Sequence, residues 1–139
     1  MSIFTFQKLH LNNYFMPNIL VIDDDEIMLK TIQYILNKDG FNVVTAADGK
    51  EAFELLEYSA FDVVITDIRM PRVNGMEVIS KIRGNKLNKH IGIIIVSMVI
   101  DKETIADALE MGADYYLKKP IVVDELRESI SRLMTARKW

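Results

Sequence analysis

The run Val63-Val64-Ile65-Thr66-Asp67-Ile68-Arg69-Met70-Pro71, closed by Gly75, decides the architecture. Three β-branched residues stand in a row with no polar alternation, the pattern of a strand buried on both faces in a parallel sheet. The run stops at a carboxylate. Ligands of open α/β sheets bind in the crevice at the carboxyl ends of the strands, so a strand ending in Asp67 aims that side chain at a candidate site. Pro71 and Gly75 then force a loop before any helix. A lone Asp in this place also fits a turn residue, and its company decides between the two readings. A first strand, Asn18 to Ile22, ends in Asp23-Asp24-Asp25; a fourth, Ile91 to Val96, ends in Ser97; a fifth, Asp114 to Leu117, ends in Lys118-Lys119-Pro120.

The chain has 139 residues, half of them hydrophobic, which suits one domain with an adequate core. Its net charge is -3 with acids and bases interspersed, so no basic stripe argues for direct nucleic-acid binding and no polybasic segment for a membrane surface. There is no cysteine, which removes disulfides, thiolate catalysis and zinc-thiolate sites and fits a cytoplasmic location. No apolar run approaches the roughly 20 residues of a membrane helix. His10 and His90 lie far apart and read as surface residues. Residues 1–15 read as an N-terminal extension without fixed structure or a start-site artefact, with a docking arm as the alternative. Met16-Pro17 immediately precedes the first strand, and residues 16–139 read as the domain itself.

Helical spacing of apolar residues fills the gaps between strands. Asp24 or Asp25 can cap a helix carrying Met28, Ile32, Ile35 and Leu36, which Asp39-Gly40 ends. Val43-Val44 is a second strand, and Asp48 with Glu51 opens a helix burying Ala52, Leu55 and Leu56. The third strand runs from Phe61 to Thr66. Val78, Ile79 and Ile82 mark a helix stopped by Gly84; Asp101 caps one with Ile105, Ala108 and Leu109, stopped by Gly112. The last helix presents Leu126, Ile130, Leu133 and Met134 inward, and Arg127, Glu128, Arg132 and Arg137 to water. Five strands alternating with five helices demand right-handed crossovers and a parallel sheet covered on both faces.

From about Met16 onward the chain resembles the response regulator receiver domain of two-component signal transduction. Asp23-Asp24, the Asp67-Ile68-Arg69-Met70-Pro71 run with Gly75, Ser97, and Lys119-Pro120 occur in that family's order and at its spacings. The resemblance implies an α/β, flavodoxin-like, doubly wound sheet of strand order 2-1-3-4-5, phosphorylated on Asp67. It further implies a phosphorelay switch that takes its phosphoryl group from a sensor histidine kinase or a histidine phosphotransfer protein. Such a domain is not a turnover enzyme, although it catalyses its own phosphorylation and dephosphorylation with Mg²⁺. The resemblance puts Asp24, Asp67 and the main-chain carbonyl of Arg69 on that ion, with Asp23 acting through water. Ser97 and Lys119 are the other catalytic positions, and Ser97 with Tyr116 forms the switch. On phosphorylation the Tyr116 ring would turn inward and remodel the face of the fourth helix, fifth strand and fifth helix, where a downstream effector docks. The family pattern also leaves room for homodimerisation on phosphorylation.

Elementary electrostatics points the same way. Carboxylates 4 Å apart repel by roughly 4 kcal/mol at an effective dielectric near 20, so a converging acidic group calls for a cation. Mg²⁺, which keeps several waters and takes one or two carboxylates plus phosphate, suits it better than caged Ca²⁺. Asp25 reads as a helix cap, and Lys118 points oppositely to its neighbour Lys119. Met98 departs from the family by being bulky after Ser97, and should crowd the pocket mouth and the path of Tyr116. Arg69 and Val99 occupy variable flanking positions. Two alternatives stand beside this reading. One is a receiver fragment of a longer DNA-binding regulator. The other is a haloacid-dehalogenase-type phosphatase with Asp23 as nucleophile, which leaves Asp67 without a role.

Overall fold

In the computed structural model, which describes residues 17–136, five strands alternate with five helices. They are β1 (Asn18–Ile22), α1 (Glu26–Lys38), β2 (Asn42–Ala46), α2 (Gly49–Tyr58), β3 (Val63–Thr66), α3 (Gly75–Arg83), β4 (Gly92–Ser97), α4 (Lys102–Met111), β5 (Tyr115–Lys118) and α5 (Val123–Ala136). A 3-10 turn at Lys86–Asn88 leads into β4. Every pairing is parallel and the order is β2-β1-β3-β4-β5, the flavodoxin-like arrangement. The extension over residues 1–15 lies outside the described residues.

β3 is central because every one of its side chains is apolar enough to be buried. Val63 and Ile65 pack with Leu29, Ile32, Leu126 and Ile130 beneath α1 and α5, while Val64 packs with Ala52, Val78, Ile79 and Ala108 beneath α2, α3 and α4. Full burial of such a side chain stabilises by roughly 1.5–3 kcal/mol, which a strand with one wet face would forgo. Each helix preceded by a cap starts at the carboxyl edge of the sheet. Asp25 accepts from the amides of Ile27 and Met28, Asp48 from Glu51, and Asp101 from Thr104. Asn74 closes a reciprocal capping box with Glu77 at the start of α3, a signal the hydrophobic periodicity does not carry.

Some boundaries move. β3 begins at Val63 rather than Phe61, since the Asp62 carboxylate accepts the Asn18 N–H at 2.8 Å and leaves the strand path there. β5 begins at Tyr115, because Asp114 turns its carboxylate onto the Ile93 N–H and the Arg83 guanidinium. Leu109 is exposed rather than core, and Leu55 and Leu56 are half-buried at the rim. Arg127 faces water only in part: its guanidinium grips the buried Asp39 at the end of α1 through two hydrogen bonds of 2.7 and 3.0 Å. The stripe Leu126, Ile130, Leu133 and Met134 is buried as its spacing predicts.

Candidate functional site

Register brings the acids together. Ile22 of β1 pairs with Thr66 of β3, so the next residues, Asp23 and Asp67, leave the sheet side by side. Both backbones stay anchored beyond the strand ends: Asp67 donates its N–H to the Ile22 carbonyl, and Asp23 donates to that of Ala46. On the other flank Ser97 pairs with Lys118, and Lys119 donates its backbone N–H to the Ser97 carbonyl at 2.9 Å. Lys119 precedes a cis peptide bond to Pro120. Its Nζ lies 2.8 Å from Asp23 Oδ2 and 2.8 Å from Asp67 Oδ2, bridging the two carboxylates. Lys118 is exposed and makes no contact of this kind.

The Asp67 carboxylate is oriented from below. Its Oδ1 accepts the Ile68 N–H at 2.6 Å and the Arg69 N–H at 3.4 Å, which turns Oδ2 toward Lys119. The main chain beneath is equally constrained, with the buried Thr66 hydroxyl donating to the Asp67 carbonyl at 2.9 Å. Gly75 donates to the Ile68 carbonyl, and a Cβ at Gly75 would run into the Asp67 carbonyl oxygen. Glycine is therefore required at this point by close approach rather than by its dihedral freedom.

Burial pushes the Asp23 carboxyl above the ordinary carboxylate range, offset in part by the hydrogen bonds from Lys119 and the Asp25 N–H. For Lys119, burial pulls the pKa down, but the hydrogen bonds to Asp23 and Asp67 and their charges outweigh it and leave the ammonium strengthened. Both directions describe one cluster with more negative than positive charge. One carboxylate oxygen from each of Asp23, Asp24 and Asp67 falls within 4.8 Å of the others, with Asp24 open to solvent. Arg69 lines the same surface depression as Asp24. An all-oxygen donor set that leaves room for water fits a hard divalent cation such as Mg²⁺.

Ser97 is fully buried, and its Oγ accepts the Val99 N–H at 3.2 Å. The half-buried Tyr116 ring packs against the core, and its hydroxyl donates to the Val99 carbonyl at 2.7 Å. Met98, expected to crowd this region, is 77 % exposed and packs on little. Of the side chains singled out from the sequence, those of Asp23, Asp24, Asp67, Ser97, Tyr116 and Lys119 thus lie at or next to the carboxyl edge of the sheet. What that reading missed is the pair of main-chain amides on Asp67, for which no residue type is a signal.

A model of the family described as response regulator receiver domain matches residues 19–131. The Bacillus subtilis alkaline phosphatase synthesis transcriptional regulatory protein PhoP is 33% identical over 119 residues, covering 84% of this chain and 48% of that protein. The Helicobacter pylori transcriptional regulatory protein CrdR is 32% identical over 114 residues, covering 82% and 53%. The chain spans about half the length of these curated relatives. Among solved structures, the receiver domain of Francisella response regulator 1452 superposes with a TM-score of 0.81 at 31% identity, covering 88% of this chain and 99% of that one. Vibrio cholerae chemotaxis protein CheY4 superposes with a TM-score of 0.80 at 28% identity, covering 86% and 99%. The chain belongs to the response regulator receiver domain family. It is a phosphoacceptor regulatory domain of a two-component system, which sets the phosphatase alternative aside. Among the described residues no helix is long and apolar enough to cross a membrane.

Proposed function

We propose that this domain is phosphorylated on Asp67 and relays that event to a partner through Ser97 and Tyr116. The convergence of Asp67 Oδ2, Asp23 Oδ2 and Lys119 Nζ at the ends of β1, β3 and β5 carries the reading. Asp67 and Asp24, with the Arg69 carbonyl, would hold a Mg²⁺ ion, and Asp23 would support it through water. Such an ion would supply positive charge to the transferring phosphoryl group. Asp67 Oδ2, which faces the Lys119 ammonium, is the nucleophile. The Lys119 ammonium neutralises a phosphoryl oxygen, and Ser97 Oγ donates to another. Positioning and charge neutralisation of this kind account for most of the rate in phosphoryl transfer.

Ser97 Oγ and the Tyr116 hydroxyl hold opposite sides of one residue, Val99. When Ser97 Oγ turns to the phosphoryl group it releases the Val99 amide, and the segment that carries the tyrosine's acceptor shifts. The packing of α4, β5 and α5 responds as a population shift, and that face meets the effector. A sensor histidine kinase or histidine phosphotransfer protein supplies the phosphoryl group. The length of the curated relatives favours a companion reading in which an output domain follows in a longer regulator.

The test is incubation with Mg²⁺ and a small acyl-phosphate donor, read by intact mass. The wild-type chain gains one hydroxylamine-sensitive phosphoryl group and Asp67→Asn gains none. An Asp67→Asn protein labelled at the wild-type rate would overturn the assignment.

A further inference from the structure

The Asp67 carboxylate is held asymmetrically. Two successive main-chain N–H groups, from Ile68 at 2.6 Å and Arg69 at 3.4 Å, meet on Oδ1, whereas Oδ2 faces the Lys119 ammonium. The turn that aims them has little freedom. Gly75 donates to the Ile68 carbonyl from the start of α3 and leaves no space for a Cβ over Asp67, and the Thr66 hydroxyl donates to the Asp67 carbonyl. Consecutive amides converging on one anionic oxygen form a nest for negative charge.

We propose that the Ile68 amide, assisted by that of Arg69, sets the lifetime of the phosphorylated state by stabilising Asp67 as a leaving group. This rests on Asp67 being the phosphoacceptor. In the acyl phosphate, Oδ2 is esterified and Oδ1 is a neutral carbonyl oxygen, so the amides face little charge. During hydrolysis a water oxygen bonds to phosphorus, and the Oδ2–P bond breaks with its electron pair returning to the carboxylate. The water gives up a proton to solvent, and inorganic phosphate departs. The returning charge is shared with Oδ1, where the Ile68 N–H already stands, so that hydrogen bond strengthens toward the transition state. Only an interaction stronger in the transition state than in the ground state accelerates a step.

Phosphorylation behaves differently. The transition state of phosphoryl transfer is loose, with little bonding to the incoming oxygen, so the attacking carboxylate keeps nearly all its charge. The amides serve reactant and transition state about equally, and their loss leaves the forward rate nearly unchanged. The nest therefore acts on one direction of the cycle. General distortion of the site would slow both.

The experiment replaces Ile68 by its α-hydroxy analogue, converting one backbone amide to an ester and removing that donor while keeping the side chain. The phosphoryl group is first mapped to Asp67 in the wild-type chain; a label mapped elsewhere refutes the phosphoacceptor reading itself. With a small acyl-phosphate donor at saturating Mg²⁺, the ester protein should phosphorylate within about two-fold of wild type. It should lose its phosphoryl group about ten-fold more slowly, the order expected for one donor at a developing anion. Equal slowing of both steps, or unchanged hydrolysis, overturns the proposal. A second measurement needs no variant. The Ile68 amide proton should resonate well downfield and move upfield on phosphorylation, as its acceptor loses charge, and a resonance that stays in place counts against the nest. This second readout decides the matter should the ester protein not fold.

Discussion

The two ends of α1 carry ionic contacts of nearly equal length. Beyond its last turn, Asp39 receives two hydrogen bonds from Arg127 at 2.7 and 3.0 Å. Before its first turn, Asp23 shares the Lys119 ammonium with Asp67, both at 2.8 Å. Distance does not separate them, but stoichiometry does. At the far end one guanidinium fork satisfies both oxygens of one carboxylate, a closed pair in which nothing is left to bind. At the near end one ammonium faces two carboxylates, with Asp24 adjoining, so negative charge is left over. A balanced pair ties the end of α1 to α5, and an unbalanced one leaves negative charge at the sheet edge.

The largest effect should come from opening the balanced pair. Arg127→Met leaves the buried Asp39 carboxylate without its partner, and breaking such a pair costs about 3 kcal/mol. Urea unfolding should show that loss with no change in phosphorylation rate per folded molecule. A Mg²⁺ response in this variant unlike that of wild type would mean that the two ends of α1 are coupled.

Next comes the unbalanced group. At Mg²⁺ one hundred times its dissociation constant, mass action should add about 2.7 kcal/mol of stability. The thermal midpoint of the wild-type chain should rise accordingly, and that of Asp24→Ala should not. Equal shifts in both would place the ion elsewhere.

A smaller effect of opposite sign sharpens the contrast. The Asp23 pKa is raised in the folded state. Between the ordinary carboxylate value and that raised value, the folded chain binds more protons than the unfolded one. Stability therefore falls as pH rises through that window, and the penalty is fully present above it. Asp23→Asn should stabilise the metal-free chain at neutral pH, with the gain vanishing below pH ~3.8. With Mg²⁺ present the advantage should reverse. Loss of stability in the metal-free variant would mean that the cluster is balanced after all.

The smallest effect belongs to Met98. A side chain 77 % exposed contributes little packing, so Met98→Ala should move stability by less than about 0.5 kcal/mol. A larger change, measured in urea, would reveal a contact between Met98 and the Val99 to Tyr116 bridge.

The unbalanced end of α1 was legible in the sequence, and the balanced end was not. Asp23, Asp67 and Ser97 each follow a run rich in β-branched residues and Lys119 follows the strand Tyr115-Tyr116-Leu117-Lys118, and a parallel sheet sends all such ends to one edge. Spacing along the chain therefore became proximity in space. Asp39 and Arg127 sit on two helices far apart in sequence, where their partnership depends on how α1 and α5 are rotated, and periodicity assigned Arg127 to water. Residue type is equally silent about Asp62 and Asp114, which shorten β3 and β5 by turning their carboxylates onto strand amides. The amides on Asp67 lie further still from reach, since every residue but proline offers one.

Gly75 has a mechanical consequence. The first residue of α3 rests directly on the Asp67 carbonyl and is bonded to that of Ile68, so there is no slack between helix and strand end. A push along the axis of α3 toward the sheet cannot be absorbed by the loop and is delivered to the aspartate's own backbone. The start of the helix works as a stop against the strand end.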